Sequence, residues 1–158
     1  MAEDTILKVV DLRTYFYTST GIVKAVDGIS FELGKGETLG IVGESGSGKS
    51  MTAWSILGLV PKPAGRIVSG DIIYQGESLL EKTSAEMREI RGGGICMVMQ
   101  DPLTSLNPVF NIGNQLMESL QMESHEPKRS LRQKAIDLLA SVRIPAAETR
   151  LDLSLIHI

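Results

Sequence analysis

Apolar residues recur along this chain with two periods, and the change of period divides it into elements. Over residues 6–17, Leu7, Val9 and Leu12 alternate with polar neighbours ahead of the aromatic cluster Tyr15, Phe16 and Tyr17. Over residues 23–33, Val26, Ile29, Phe31 and Leu33 alternate imperfectly. Both segments are predicted strands of a β-rich platform, broken at Thr18-Ser19-Thr20-Gly21. Residues 66–75 make a further strand region, interrupted at Ser69-Gly70. The apolar run 38–42 is read as the strand that leads into a glycine loop, and 95–99 is continuously apolar between glycine and Asp-Pro, the pattern of a parallel strand buried on both faces. Cys96 falls in the second run and reads as a buried, inert thiol.

Helical spacing covers the remainder. Residues 51–59 form a predicted helix stopped by Pro61 and Pro63, with Trp54 a core residue. Residues 83–90 form a short one, where Glu86 three positions after Thr83 suggests a capping box, and Gly92-Gly93-Gly94 is a flexible break. Ile112, Leu116, Met117 and Leu120 stripe a helix over 111–122. Leu131, Ala135, Leu138, Leu139 and Val142 stripe one over 127–143 and are read as core contacts.

The order of strand 38–42, glycine loop and helix carries the chemistry. The loop reads Gly43-Glu44-Ser45-Gly46-Ser47-Gly48-Lys49-Ser50. A helix N-terminus presents unpaired N–H groups and partial positive charge, so a loop feeding it is an anion cradle. Gly43, Gly46 and Gly48 let the backbone, with Ser45 and Ser47, close around phosphate oxygens; Lys49 reaches the β- and γ-phosphates and Ser50 can ligate Mg²⁺. At average composition the pattern arises by chance about once in 30,000 windows. The expected ligand is a nucleoside triphosphate with magnesium, but kinases, GTPases and motor ATPases all use such a loop.

Composition narrows the classes. The chain has 158 residues, 42% hydrophobic and 22% charged, enough for one domain with a real core. A net charge of −3 argues against a nucleic-acid partner or attraction to a membrane surface. No run approaches 18 apolar residues, and the N-terminus is acidic where a leader would be basic, so a cytoplasmic setting is expected. His125 and His157 lack partners at metal-ligand spacing, and internal repeats and low-complexity stretches are not visible.

Two further residues are candidates by position. An aromatic ahead of the loop can stack on an adenine ring, with Phe16 first and Tyr15 or Tyr17 second; packing in the platform is the alternative for each. Gln100 stands where the 95–99 run ends, where an α/β sheet opens to its ligand. It can reach the metal or an attacking water, or make a loop hydrogen bond.

Beyond the loop, residues 40–50 followed by Met97-Val98-Met99-Gln100-Asp101-Pro102-Leu103-Thr104-Ser105-Leu106-Asn107-Pro108 resemble the ATP-binding subunit of a bacterial ABC importer, in the oligopeptide, dipeptide and nickel uptake branch. Ala25-Val26-Asp27-Gly28-Ile29-Ser30-Phe31 supports this, and the resemblance covers about residues 6–152. It implies an α/β fold, the P-loop NTPase core of an ABC ATPase with an N-terminal antiparallel β platform, incomplete at its C-terminus. It implies that residues 43–50 bind ATP, that Phe16 stacks on adenine, and that Gln100 touches Mg²⁺ and water. It also implies docking of residues 101–115 on membrane-spanning permease subunits, a second ATP-binding subunit (homo- or heterodimer), a separate substrate-binding protein, and a peripheral place on the cytoplasmic face of the inner membrane.

The chain departs from the family after Asp152. The family continues into a Leu-Ser-Gly-Gly signature, a Walker B aspartate, a catalytic glutamate and a switch histidine. Here residues 153–158 read Leu-Ser-Leu-Ile-His-Ile and are expected to be foreign to the family, with 1–152 the N-terminal part of its ATP-binding domain. Such a polypeptide alone is expected to bind ATP weakly, to turn over little, and to leave apolar faces exposed. The competing readings are a soluble P-loop phosphotransferase, which the absence of arginine between Gln100 and Arg129 disfavours, and a non-catalytic nucleotide-binding fragment.

Overall fold

The computed structural model describes residues 4–100, 105–124 and 126–157. The chain forms two units, Met1–Ile95 and Cys96–Ile158. In the first, β1 (Thr5–Thr18) and β2 (Gly21–Gly34) make an antiparallel hairpin across Ser19-Thr20. On the other side of β1 lies β3 (Gly65–Tyr74), and the short β4 (Glu77–Ser78) is the edge, giving the order β2-β1-β3-β4 with every pairing antiparallel. This is the expected platform, with β1 in the interior.

Val9 and Leu12 are both buried although an odd separation should put them on opposite faces of a regular strand. A bulge reconciles them. Asp11 takes a φ of +42°, its N–H donates to Ser30 Oγ at 2.8 Å, and the register of β1 shifts against both neighbours. Gly70 faces this bulge with φ +92°, where a Cβ would lie 2.4 Å from the Asp11 carbonyl oxygen. The expected interruption at Ser69-Gly70 is therefore the matched half of the bulge inside one continuous strand.

Val9, Leu12, Val26 and Ile72 form the core of this unit with Leu79 and Met87. Helix α1 (Lys49–Ile56) packs on it, and so does α2 (Ser84–Gly93). The capping box is present: Thr83 N–H donates to Glu86 Oε2 at 2.7 Å and Glu86 N–H to Thr83 Oγ1 at 3.3 Å. The Thr83 hydroxyl, donating to Glu86 Oε2 at 2.7 Å, and then the Thr83 N–H favour the ionised form and hold the Glu86 carboxyl below its ordinary range. Helix α2 runs through Gly92 and Gly93 and caps at Gly94, so the expected glycine break begins later. Arg91 Nε donates to the Leu57 carbonyl at 2.7 Å, tying α2 to the end of α1.

The second unit is helical: α3 (Ile112–Glu123), α4 (Lys128–Ser141) and α5 (Ala147–Arg150). Ala135, Leu139 and Leu151 form its core with Leu116, Met117 and Leu120. Leu138 and Val142, expected in that core, are exposed, because the buried face of α4 is the narrower one through Leu131, Ala135 and Leu139. Residues 151–154 bind back onto the start of α3. The Leu151 and Leu153 carbonyls accept from Gly113 and Ile112 at 2.8 and 2.9 Å, and Arg132 grips Asp152 in a two-pronged pair at 3.0 Å. No helix among the described residues is long and apolar enough to cross a membrane.

Further sequence expectations fail at the two apolar runs. Residues 38–42 and 95–99 are not strands, Val42 and Val98 are 94% and 87% exposed, and Cys96 is exposed rather than buried. A parallel strand exists only with a ladder partner on its flank, and the sheet of the described residues contains β1 to β4 and nothing that pairs with either run.

Replacing Gly70 by Ala should test the bulge. The strained φ and the approach to the Asp11 carbonyl should together cost roughly 3 kcal/mol, read as a lower urea midpoint; an unchanged midpoint would show that the pairing tolerates a Cβ there.

Candidate functional site

The glycine loop enters α1 through Gly48, whose φ of +92° is left-handed and which stands at the N-cap. A Cβ at this position would lie 2.2 Å from the Ala25 carbonyl oxygen, so only glycine lets the loop sit this close to the platform. Ala25 is the residue skipped where the β1–β2 register slips between Thr14 and Tyr15. A sheet irregularity thus supplies the contact that places the loop.

Helix α1 is fixed at its other end by hydroxyls. Thr52 and Ser55 are its buried residues. Ser55 Oγ donates to the Met51 carbonyl at 2.7 Å and lies 2.8 Å from Thr14 Oγ1 on β1. Because the Ser55 proton is committed to Met51, Thr14 is the donor to Ser55. A buried hydroxyl pair is tolerated because each proton has an acceptor.

Within the loop, Lys49 Nζ donates to the Gly43 and Glu44 carbonyls at 2.8 and 2.7 Å and to Ser47 Oγ at 3.3 Å. The backbone therefore curls around the ammonium. Ser47 N–H closes a turn onto the Glu44 carbonyl at 3.2 Å, and Gly46 has φ +83°. A Cβ on Gly43 would fall 2.6 Å from Ser47 Oγ, so a side chain there would fill the cradle. The N-terminus of α1 has no side-chain cap, which leaves its first-turn N–H groups without an intrahelical acceptor. Ser45, Ser47 and Ser50 are exposed around it. One ammonium, uncapped helix amides and hydroxyls on a side-chain-free loop make a set of donors suited to phosphate oxygens.

The three aromatics separate by face. Tyr15 donates its hydroxyl to Asp27 Oδ1 at 2.6 Å and has Lys24 5.5 Å from its ring centre. Tyr15, followed by Lys24, holds the Asp27 carboxyl below its ordinary range. Tyr17 carries the Arg66 guanidinium 4.4 Å from its ring centre. Phe16 shares the face of Thr14, the one that receives α1. Its ring covers Gly65, where a Cβ would come within 2.7 Å of both Phe16 Cε1 and Val60 Cγ1.

Gln100 is in the second unit, exposed in a bend. Residues 101–104 and His125 lie outside the described residues. His157 Nδ1 is 2.8 Å from Ser154 Oγ, and no group of three His, Cys, Asp or Glu able to hold a metal occurs among the described residues. Sequence reading missed Ala25 and the Thr14–Ser55 pair. Thr14 did carry a signal, being a polar residue on the apolar face of β1; the Ala25 carbonyl carried none.

A family model described as ABC transporter matches residues 26–155. The chain is 45% identical over 149 residues to a probable peptide ABC transporter ATP-binding protein of Sinorhizobium fredii, covering 94% of this chain and 44% of that protein. It is 44% identical to the oligopeptide transport ATP-binding protein OppD of Bacillus subtilis, covering 93% and 41%. The chain thus spans less than half the length of these curated relatives. Among solved structures, a dimeric ATP-binding cassette in a post-hydrolysis state with ADP and Pi superposes with a TM-score of 0.80 at 19% identity, covering 97% of this chain and 63% of that one. A component of an ABC transporter complex from Clostridium perfringens gives 0.66 at 25% identity, covering 92% and 53%.

The hydroxyl pair under α1 is open to a double-mutant cycle. Ser55→Ala leaves the Thr14 proton buried without an acceptor and should cost about 1–3 kcal/mol in urea unfolding. Thr14→Val alone should cost less, and the double variant less than the sum by on the order of 1 kcal/mol. Additive costs would show that the two hydroxyls do not interact.

Proposed function

The chain belongs to the ABC transporter family, and from that premise we propose that it is the nucleotide-binding part of an ATPase subunit that drives import of peptides or nickel. The observation that carries this reading is the curl of residues 43–48 around Lys49 Nζ at the uncapped N-terminus of α1. Its ligand is ATP with Mg²⁺. The residues present fit that group: a Cβ at Gly43 would fill the cradle, and the lysine's present acceptors are carbonyls that an anion can replace.

Gly43, Ser45, Gly46, Ser47 and Gly48 would hold the phosphates with their backbone and hydroxyls. Lys49 would set one positive charge against the β- and γ-phosphates, and Phe16, on the face that receives α1, would stack on the adenine. Ser50 and Gln100 would serve Mg²⁺, which when bound neutralises phosphate charge. Phosphoryl transfer depends on placed charge more than on covalent chemistry, which is why one lysine can decide the outcome.

The partners in this reading are two membrane-spanning permease subunits met by residues 101–115, a second ATP-binding subunit and a separate substrate-binding protein. The assembly sits on the cytoplasmic face of the inner membrane and takes no nucleic acid. The names of the curated relatives, peptide and oligopeptide transport ATP-binding proteins, support the cargo class.

Titration of the chain with a fluorescent ATP analogue tests the site. Lys49→Ala should weaken binding in the presence of Mg²⁺ by about 10- to 100-fold, the range for a lost hydrogen bond to a charged group. Ser50→Ala should remove most of the dependence on Mg²⁺. Equal binding by the parent and Lys49→Ala, both folded by circular dichroism, would overturn the assignment.

A further inference from the structure

Within the first unit, a cleft of about 390 Å³ opens at the C-terminal end of α1, against β3 and the start of α2. Its charge runs against that of the chain. Lys62, Arg66, Lys82 and Arg91 line it and no carboxylate side chain among the described residues does, although the net charge of the whole sequence is −3. Its floor is apolar. Ile67 contributes to that floor from β3, and the core residues Leu79 and Met87, 5% and 6% exposed, show their remaining surface there.

The four cations are not equally available to a ligand. Lys82 is held by Glu77, which offsets its charge. Arg91 donates from Nε to the Leu57 carbonyl at 2.7 Å and from its terminal nitrogen to the Gly58 carbonyl at 3.4 Å. Those acceptors are neutral, so they fix the guanidinium as a wall of the cleft without cancelling its charge. The Arg66 guanidinium stands 4.4 Å from the centre of the Tyr17 ring. A contact of this kind orients the cation and occupies no hydrogen-bond acceptor, so its N–H fork stays open to a carboxylate. Lys62 is exposed beside it.

We infer that this cleft is a binding site for a small aliphatic monocarboxylate, with its head on Arg66 and Lys62 and its tail on Ile67, Leu79 and Met87. Both halves of the ligand are needed. An inorganic anion would leave the apolar floor in water, and an uncharged tail would leave the guanidinium fork unmatched. At about 30 Å³ for each water-sized unit, the cleft holds about 13 non-hydrogen atoms, the size of decanoate or of an acetylated leucine. The same chemistry therefore has two sources, a fatty acyl chain or the apolar C-terminal residue of a peptide. The cleft lies at the other end of α1 from Lys49, so the site stands apart from the glycine loop and does not depend on what that loop binds.

Titration of the whole chain with decanoate, followed by NMR, tests the site. Saturable shifts at Ile67, Leu79 and Arg91 are expected, with a dissociation constant on the order of 1 mM for a ligand of this size. Octanoate should bind a few-fold more weakly for each methylene removed, while acetate, decanol and decyltrimethylammonium should not saturate the same signals. Arg66→Gln should weaken decanoate by about 10-fold, and Lys62→Gln with Arg66→Gln should abolish saturation; both positions are exposed, and circular dichroism checks the fold. Lys49→Ala should leave decanoate binding unchanged. Tighter binding of decanoate than of acetyl-leucine supports the site as one for acyl chains, and the reverse supports it as one for peptide C-termini. Saturation by neither, equal binding of decanol or decyltrimethylammonium, or full binding by the folded double variant overturns the inference.

Discussion

The close seating of α1 on the antiparallel sheet is the constraint on which the site depends. The helix must begin at one place, because its first residues carry the lysine and the free amides. It is held there by backbone contact at Gly48 and Ala25 and by the Thr14–Ser55 hydrogen bond. Neither contact is apolar burial, which is non-directional and would let a short helix slide. A hydroxyl pair and a carbonyl that excludes any Cβ are directional, and they fix where the loop is presented.

The sheet pays attention to the same requirement through its irregularities. The bulge at Asp11 brings Val9 and Leu12 onto one face, and the register slip opposite Ala25 stands at the point where the loop meets that residue's carbonyl. Gly70 and Gly48 are the permissive halves of these features, each with φ +92°. A side chain at Gly70 would push against the Asp11 backbone in the platform, and one at Gly48 would push the loop off the Ala25 carbonyl.

How much of this was legible in the sequence follows from the range of the interactions involved. The loop motif, the Thr83 capping box and the stripe of α3 rest on spacings of a few residues, and the hairpin strands are joined by a two-residue turn that zips them from Thr18 and Gly21 outward; each is found where its spacing placed it. Residues 38–42 and 95–99 have the composition of buried strands, but strandness belongs to a pair, and apolar composition cannot supply the partner. Leu138 and Val142 failed for a related reason: periodicity gives a helix's apolar side but not how wide a part of it a neighbour covers. The Ala25 carbonyl was invisible because backbone has no letter.

The conformation of Lys49 also bears on how the loop would receive an anion. Its ammonium is bound by two carbonyls and a hydroxyl of the loop that carries it, and hydrogen bonds from a charged donor of this kind contribute about 1.5–3 kcal/mol net each. A unit negative charge at 4 Å, at the effective dielectric of about 20 that suits protein surfaces, is worth about 4 kcal/mol before the competing solvation is subtracted. A phosphate would bring more than one such charge and would itself accept the lysine's hydrogen bonds, so exchange of carbonyls for phosphate oxygens would be favourable with the loop backbone near its present curl. The carbonyls would then act as place-holders: they keep a four-carbon side chain folded back over the loop, so that anion binding would replace one set of lysine contacts with another instead of ordering the side chain from solution.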